Sequence, residues 1–440
     1  MALYAFDGTS KDDDDEDAND SNVVRFARAY RGRRVYRSGV GTRYGAVGKV
    51  LGGWMGVGLH QRIDEAKSEL RKNLARGDRI IDVVGFSRGA AAALDFANVV
   101  FEEFRDGTPD APPVRFVGLF DTVASTGILP GKIDLGLDLA LPPNVGKCCH
   151  AMALDESRAS FHLRRVTPRK GAKLAAGTIE EVWFRGCHSD IGGGHQHDPL
   201  ANIPLCWMLR RAAHVGLTFD ELEVQAAMGA RDGSAHIIRA GLDKKVRKRQ
   251  PKSGDRVHCS VSSRDQHCNP PEQGCSMVDD LGVDRGSYPG QLDWQAAIDW
   301  AGSLVPPPQL AIGGPAATLE VFADVEWNEL PHVLLEKGAT YRFEVIDGPH
   351  DWIDGGVSQT NGAMGYELPA LKPFKHLARK PDAGWFALVG AVDRSELFTI
   401  GRQCDHTPAQ SGEFACFAND ARARYDNNRG RLTLSVIRIA

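Results

Sequence analysis

Apolar positions in the first half of the chain fall into two alternating patterns. LYAF (3–6), RIIDVV (79–84), VRFVGLF (114–120) and EEVWF (180–184) are short apolar runs that read as buried strands. Between them, NVVRFARAY (22–30), HQRIDEAKSELRKNLARG (60–77), AAAALDFANVVFEEF (90–104) and ANIPLCWMLRRAAHV (201–215) carry helical spacing, the second closed by Gly77. Apolar strands alternating with helices predict an α/β domain: a mostly parallel sheet covered by helices on both faces, with its active site at the carboxyl ends of the strands.

The pattern changes after Leu319. TYRFEVIDG, GWFALVGAV, LFTIG, GEFACFAND and RLTLSVIRI are short alternating strands separated by turn residues, which predict a C-terminal all-β sandwich. The stretch 305–318, VPPPQLAIGGPAAT, reads as a linker, giving a catalytic domain over 1–304 and a sandwich over 319–440. Residues 215–300 are polar and then rich in Cys, Gly and Pro, and read as an insertion or lid.

Composition narrows the partners. The 440 residues are 42% hydrophobic and 25% charged with a net charge of −4, so the uniformly basic field that nucleic acid needs is missing. The basic stretches Arg31–Arg37 and Lys244–Lys252 read as solvated faces or loops, and the acidic run 10–20 as a surface loop, with calcium capture as the weaker option. The start of the chain has no basic n-region or apolar h-region, and no window reaches eighteen apolar residues. Nine cysteines form no regular disulfide framework and read mostly as reduced. His258, Cys259, His267, Cys268 and Cys275 have the residue types of a zinc site without its standard spacing.

The sharpest chemical signal is Gly85-Phe86-Ser87-Arg88-Gly89, placed between an apolar strand and a strong helix. This is the context of a nucleophile elbow, in which a strained turn presents the serine and the following helix aims its free N–H groups at a developing oxyanion. A base and an orienting acid must accompany it. His188 in CHSDIGGGH is the candidate base, with His195 and His197 nearby; Asp121 in LFDTV is the candidate acid, with Asp190 as its rival. The oxyanion donors expected are the N–H of Arg88 and one from the Asp7-Gly8-Thr9 turn, assigned to Gly8.

The segments FDGT, GVGTR, GFSRGA, LFDTV, HAMALDESRASF and HSDIGGGH, in this order over about residues 1–220, resemble the α/β-hydrolase family of type VI secretion phospholipase effectors, first family of the type VI lipase effectors. The resemblance implies a Ser87, Asp121, His188 triad that hydrolyses glycerophospholipids, export by the secretion machinery, a membrane-surface substrate in a target cell's periplasm and an immunity protein in the producer. His195 departs from the family, where an aromatic residue is common.

At the C-terminus, Asn419 to Gly430 crowds acid and amide oxygens onto one turn, the donor type a hard cation takes. With GWFALVGAV and RLTLSVIRI around it, this segment resembles the calcium-dependent galactophilic bacterial lectin. That resemblance implies calcium held by Asp420, the carbonyl of Arg424, Asn427 and Asn428, with a further carbonyl from 348–352. Because the lectin's histidine and glutamine sugar contacts have no counterpart here, the companion expectation is a bound glycan, a lipid headgroup or another protein, or a calcium-stapled platform alone. Trp352 and Trp385 are either stacking faces or core aromatics. The leading expectation is a phospholipase A; the competing ones are an esterase acting on acylated glycans and a glycan-binding protein with a non-catalytic hydrolase scaffold.

Overall fold

The computed structural model describes residues 1–8, 20–37, 54–104, 113–123, 137–194, 200–220, 224–225, 248–261, 271, 274–280, 282–287, 310–355, 359–360 and 362–440. Outside them lie Thr9, most of the acidic run, His195, His197, His267, Cys268 and residues 292–304. The chain divides into two units, Met1–Val305 and Pro306–Ala440.

In the first unit the strands are β1 (Ala2–Phe6), β2 (Arg33–Arg37), β3 (Ile81–Phe86), β4 (Val114–Phe120), β5 (Ala140–Leu141), β6 (Val145–Ala153), β7 (Thr167–Pro168), β8 (Ile179–Phe184), β9 (Arg256–His258), β10 (Ser276–Val278) and β11 (Asp284–Ser287). Nine of these form one sheet in the order β11-β10-β9-β8-β6-β4-β3-β1-β2, parallel throughout except for the antiparallel pair β10–β11. Strands β5 and β7 pair separately. The helices are α1 (Asn22–Ala29), α2 (Trp54–Ala75), α3 (Arg88–Glu103), α4 (His188–Gly192) and α5 (Asn202–His214).

Both sheet faces are covered, which explains the continuous apolar runs. Leu3 and Ala5 join a core with Phe26, Tyr30, Trp207 and Met208, whereas Tyr4 and Phe6 join the opposite core with Ile63, Leu70, Phe96 and Val100. The chain steps from β1 outward to β2 and then crosses back to β3 on the other side of β1. Sites of parallel sheets fall at the carboxyl ends of the strands where the order reverses in this way, here β1 and β3.

The region 215–300 differs from the expected insertion. Its described parts include β9, β10 and β11, which extend the sheet, and Leu217 and Phe219, which enter the core. Strands of three or four residues are too short to show a period, so they were invisible among the surrounding Cys, Gly and Pro.

The second unit is antiparallel. Its strands are β12 (Ala317–Phe322), β13 (Asn328–Leu335), β14 (Tyr341–Asp354), β15 (Gln359–Thr360), β16 (Leu388–Val392), β17 (Glu396–Thr399), β18 (Gln403–His406), β19 (Gly412–Ala418) and β20 (Arg429–Arg438). One sheet runs β12-β20-β14-β15 with β18 also on β14, and the other runs β13-β19-β16-β17. Alternate residues of both meet in one core: Tyr341, Phe343, Leu432 and Leu434 from the first, Leu388, Phe414 and Cys416 from the second. Trp352 and Trp385 are 0% and 5% exposed, which makes them core aromatics. Asn419 anchors the loop that precedes β16: its amide donates to the carbonyls of Lys380, Ala383 and Gly384 and accepts from the Lys380 N–H.

Seven of the eight described cysteines are buried. No described helix is long and apolar enough to cross a membrane.

Candidate functional site

Ser87 lies between the end of β3 and the start of α3 with φ 58° and ψ −120°, a conformation that L residues rarely adopt. Packing enforces it. A Cβ on Gly85 would stand 2.5 Å from the Gly89 carbonyl oxygen, and one on Gly89 would stand 2.1 Å from that of Phe6. The two glycines thus let the turn close onto itself and onto the end of β1. The Ser87 N–H donates to the Phe120 carbonyl (3.0 Å), and the Ser87 carbonyl accepts from the Val123 N–H (3.2 Å). These bonds tie the serine turn to the turn that follows β4.

That second turn carries Asp121, fully buried and also at positive φ (40°). Its N–H donates to the Ala151 carbonyl (2.8 Å), while Oδ1 accepts from the Ala153 N–H (2.8 Å) and from Arg249 Nη1 (2.6 Å). Oδ2 meets His188 Nδ1 at 2.6 Å, and His188 Nε2 lies 2.9 Å from Ser87 Oγ. Burial pushes the Asp121 carboxyl up, but the Arg249 guanidinium and His188 together hold it well below the usual carboxylate range. An ionised Asp121 requires the proton on Nδ1, which leaves the Nε2 lone pair facing the serine hydroxyl.

His188 opens α4, whose preceding residue, Cys187, donates its N–H to Asp190 Oδ2 at 2.7 Å. The Asp190 carboxylate is thereby used as a helix cap. The imidazole packs between the rings of Phe86 (4.7 Å) and Phe161 (4.9 Å). Burial pulls its pKa below the ordinary value; Asp121 opposes this and Arg249 adds to it. Asn22 fixes α4 by donating to the carbonyls of Ile191 and Ala201, both at 2.9 Å. His150 supports the Asp121 turn: Nε2 accepts from the Thr122 N–H (3.1 Å), and Nδ1 meets Glu181 at 3.0 Å. Sequence reasoning assigned none of Asn22, His150 and Arg249 to the site.

The two N–H groups expected to face an oxyanion are placed differently. Arg88 begins α3 directly after the serine, as anticipated, but the Gly8 N–H donates to Asp7 Oδ1 at 2.6 Å. Asp7 is buried and held in place by Ser21 Oγ (2.6 Å) and Tyr36 Oη (2.9 Å) on Oδ2, so its other oxygen captures the next amide in the chain. The Gly8 amide is therefore engaged.

The four cation-ligand candidates lie together in the second unit, at the loop between β19 and β20. Asp420 and Asn428 are each 4% exposed. Asp420 accepts from the Ala421 N–H (2.7 Å) and from Asn428 Nδ2 (3.0 Å), whereas the Oδ1 atoms of Asn427 and Asn428 are buried without a hydrogen-bond partner. Burial, together with the neighbouring Asp354 carboxylate, raises the Asp420 pKa. Gly355 sits so close that a Cβ there would be 2.2 Å from the Asn427 carbonyl oxygen. Two buried carboxylates beside two orphaned amide oxygens fit a hard cation, which takes six to eight oxygens. Among the described residues no three His, Cys, Asp or Glu side chains converge as a metal site, so amide and carbonyl oxygens would have to complete this one. His258, from the zinc-like cluster, instead bonds Ser260 Oγ (2.8 Å) and Asp280 (3.0 Å).

A hydroxyl, an imidazole and a buried carboxylate in one hydrogen-bonded row can pass the hydroxyl proton to the imidazole as the oxygen attacks an electrophile. Comparison with known proteins gives this unit a family likeness: residues 3–102 and 99–211 match the family described as type VI secretion, phospholipase effector Tle1-like, catalytic domain. Among solved structures, an uncharacterized protein from Pseudomonas aeruginosa is 24% identical, with 53% of this chain and 48% of that chain covered and a TM-score of 0.39. The Tle1 effector bound to the VgrG spike of the type VI secretion system is also 24% identical, with 45% and 52% covered and a TM-score of 0.32. The N-terminal domain of EclA, a PllA-like lectin, is 16% identical, with 28% and 94% covered and a TM-score of 0.21. The chain spans about half the length of the first two. No curated protein matches it.

The backbone contact at Gly89 gives a direct test of the serine turn. Gly89→Ala is expected to lower stability by about 2–3 kcal/mol, the cost of overpacking a site with no room to give. Urea unfolding of the full chain checks this, and an unchanged midpoint would contradict the described packing.

Proposed function

We propose that the chain is a serine lipolytic hydrolase of phospholipase A type that acts on glycerophospholipids. The observation that carries this reading is the continuous row Ser87–His188–Asp121, drawn from three strand ends at the carboxyl edge of a parallel sheet. The family likeness of the same unit to phospholipase effector catalytic domains supports a lipid ester as substrate.

In this reading the Ser87 hydroxyl proton moves to His188 Nε2 as Oγ bonds to the ester carbonyl carbon. Charge on the carbonyl oxygen is met by the Arg88 N–H at the start of α3. The imidazolium, stabilised by Asp121, returns the proton to the departing lysophospholipid oxygen as the ester C–O bond breaks. Water, deprotonated by His188, then releases the fatty acid and restores the serine. Export by a type VI machine, delivery to a target cell's periplasm and an immunity partner belong to the same proposal and rest on the family likeness. In the second unit, Asp420, the Arg424 carbonyl, Asn427 and Asn428 would hold calcium, a proposal supported by the two orphaned amide oxygens. Bound there, calcium would neutralise the crowded carboxylates and brace the loop between β19 and β20.

Ser87→Ala is expected to reduce fatty-acid release from phospholipid vesicles by roughly 10³-fold or more without lowering the melting temperature. Acetate released from an acylated polysaccharide, with vesicles left intact, would favour the glycan esterase instead. Release of neither fatty acid nor acetate by the wild-type chain, with glycan binding retained, would favour a binding protein with a non-catalytic scaffold.

Because burial disfavours the imidazolium of His188, kcat/KM should rise with pH through a midpoint below the ordinary histidine value of about 6.5 and stay flat above it. A midpoint clearly above that value counts against His188 as the base.

For calcium, chelation is expected to lower the melting temperature of the full chain, and Asp420→Ala to abolish the difference. At a hundredfold excess over Kd, the ion would contribute about 2.7 kcal/mol. Identical melting curves with and without chelator would end the metal proposal.

A further inference from the structure

Residues 244–252 read from sequence as a basic, solvated stretch, yet the Arg249 side chain is only 8% exposed and lies against the serine site. We infer that Arg249 is a positioning residue of this site, clamping the Asp121 carboxylate in the orientation that serves His188; the inference rests on the hydrolase reading above. Its fork spans three segments. Nη1 donates to Asp121 Oδ1 (2.6 Å) and to the Ala153 carbonyl (3.1 Å), and Nη2 donates to the Phe161 carbonyl (2.8 Å). Phe161 is the residue whose ring packs edge-on against His188. One planar group thus holds the acid, the end of β6 and one wall of the imidazole pocket in register, which the rotatable ammonium of a lysine does not do.

A buried arginine is costly to desolvate, and Asp121 Oδ1 already has a partner in the Ala153 N–H. What the guanidinium adds is a second fixed bond on the oxygen that faces away from the histidine. With Oδ1 held at two points the carboxylate cannot rotate, and Oδ2 stays on Nδ1. The positive charge also acts on His188. The charged groups facing the imidazole are Asp121, Arg249 and Glu156, the last accepting the His188 N–H at 3.2 Å while paired with Arg158. Removing the guanidinium leaves the two carboxylates less opposed, so the imidazole becomes more basic and the acid limb of activity moves to higher pH.

The experiment measures kcat, KM and the pH profile for phospholipid hydrolysis by the full chain, with Ser87→Ala alongside. Arg249→Gln is expected to lower kcat roughly 10- to 100-fold with KM changed by less than about twofold, and to shift the acid limb upward. Arg249→Lys keeps the charge but loses the fork, so it should hold the limb near wild type with kcat down roughly three- to tenfold; this variant carries the test if the glutamine form does not fold. In an Asp121→Asn background, Arg249→Gln should cost less than about threefold, because the carboxylate it holds is gone. Wild-type kcat in the lysine variant, an unmoved limb in the glutamine variant, or losses that multiply in the double variant would each overturn the clamp. If Ser87→Ala is inactive while Arg249→Gln behaves as wild type, this inference alone fails; hydrolysis that survives Ser87→Ala removes the ground for both readings.

Discussion

Asp121 accepts hydrogen bonds on both carboxylate oxygens in a position with no exposed surface, and the rest of the site follows from how those bonds are divided. One oxygen is tied to the end of β6 and to Arg249, and the other is left to the imidazole. An ionised carboxylate at such depth requires compensating donors on every side. The sheet supplies them only when β3, β4 and β6 are in register and residues 248–250 have returned to cover their ends. The hydrogen-bonded row therefore depends on pairings between residues 67, 101 and 128 positions apart in sequence.

Glycines set how closely these pieces approach. Gly85 and Gly89 let the serine turn pack on itself and on the end of β1, and Gly192 leaves room for the Phe86 ring, which a Cβ there would meet at 2.0 Å. Phe86 in turn lies against His188. His188 and Ser87 are thus spaced by close glycine contacts with backbone and with the Phe86 ring, and the strained dihedrals of Ser87 and Asp121 are sustained by this packing.

Much of this was legible because it is local. Ser87, Asp121 and His188 each follow an apolar run, and a residue that ends a buried parallel strand falls at one edge of the sheet. The all-β character of the second unit is readable from its alternation, although β12, β13, β15 and β18 are not among the segments that the alternation marks. What escaped were features defined by distant partners. Arg249 sits in a run of like charges whose composition describes a surface, and its burial comes from a carboxylate that the local sequence does not mention. Strands β9 to β11 are too short to leave a periodic trace. The Gly8 amide lay in an ordinary turn signal, and its capture depends on Ser21 and Tyr36 holding Asp7 in place.

The cysteines carry a different implication. Burial pushes the thiols of Cys149 and Cys259 up to about 12 and that of Cys404 to about 11, and it raises Cys148, Cys187 and Cys416 as well. A sulfur kept protonated and shielded exchanges slowly with disulfides and resists peroxide. Among the described residues each of the two units is held by packing and hydrogen bonds, and thiol–disulfide exchange reaches their buried sulfurs slowly.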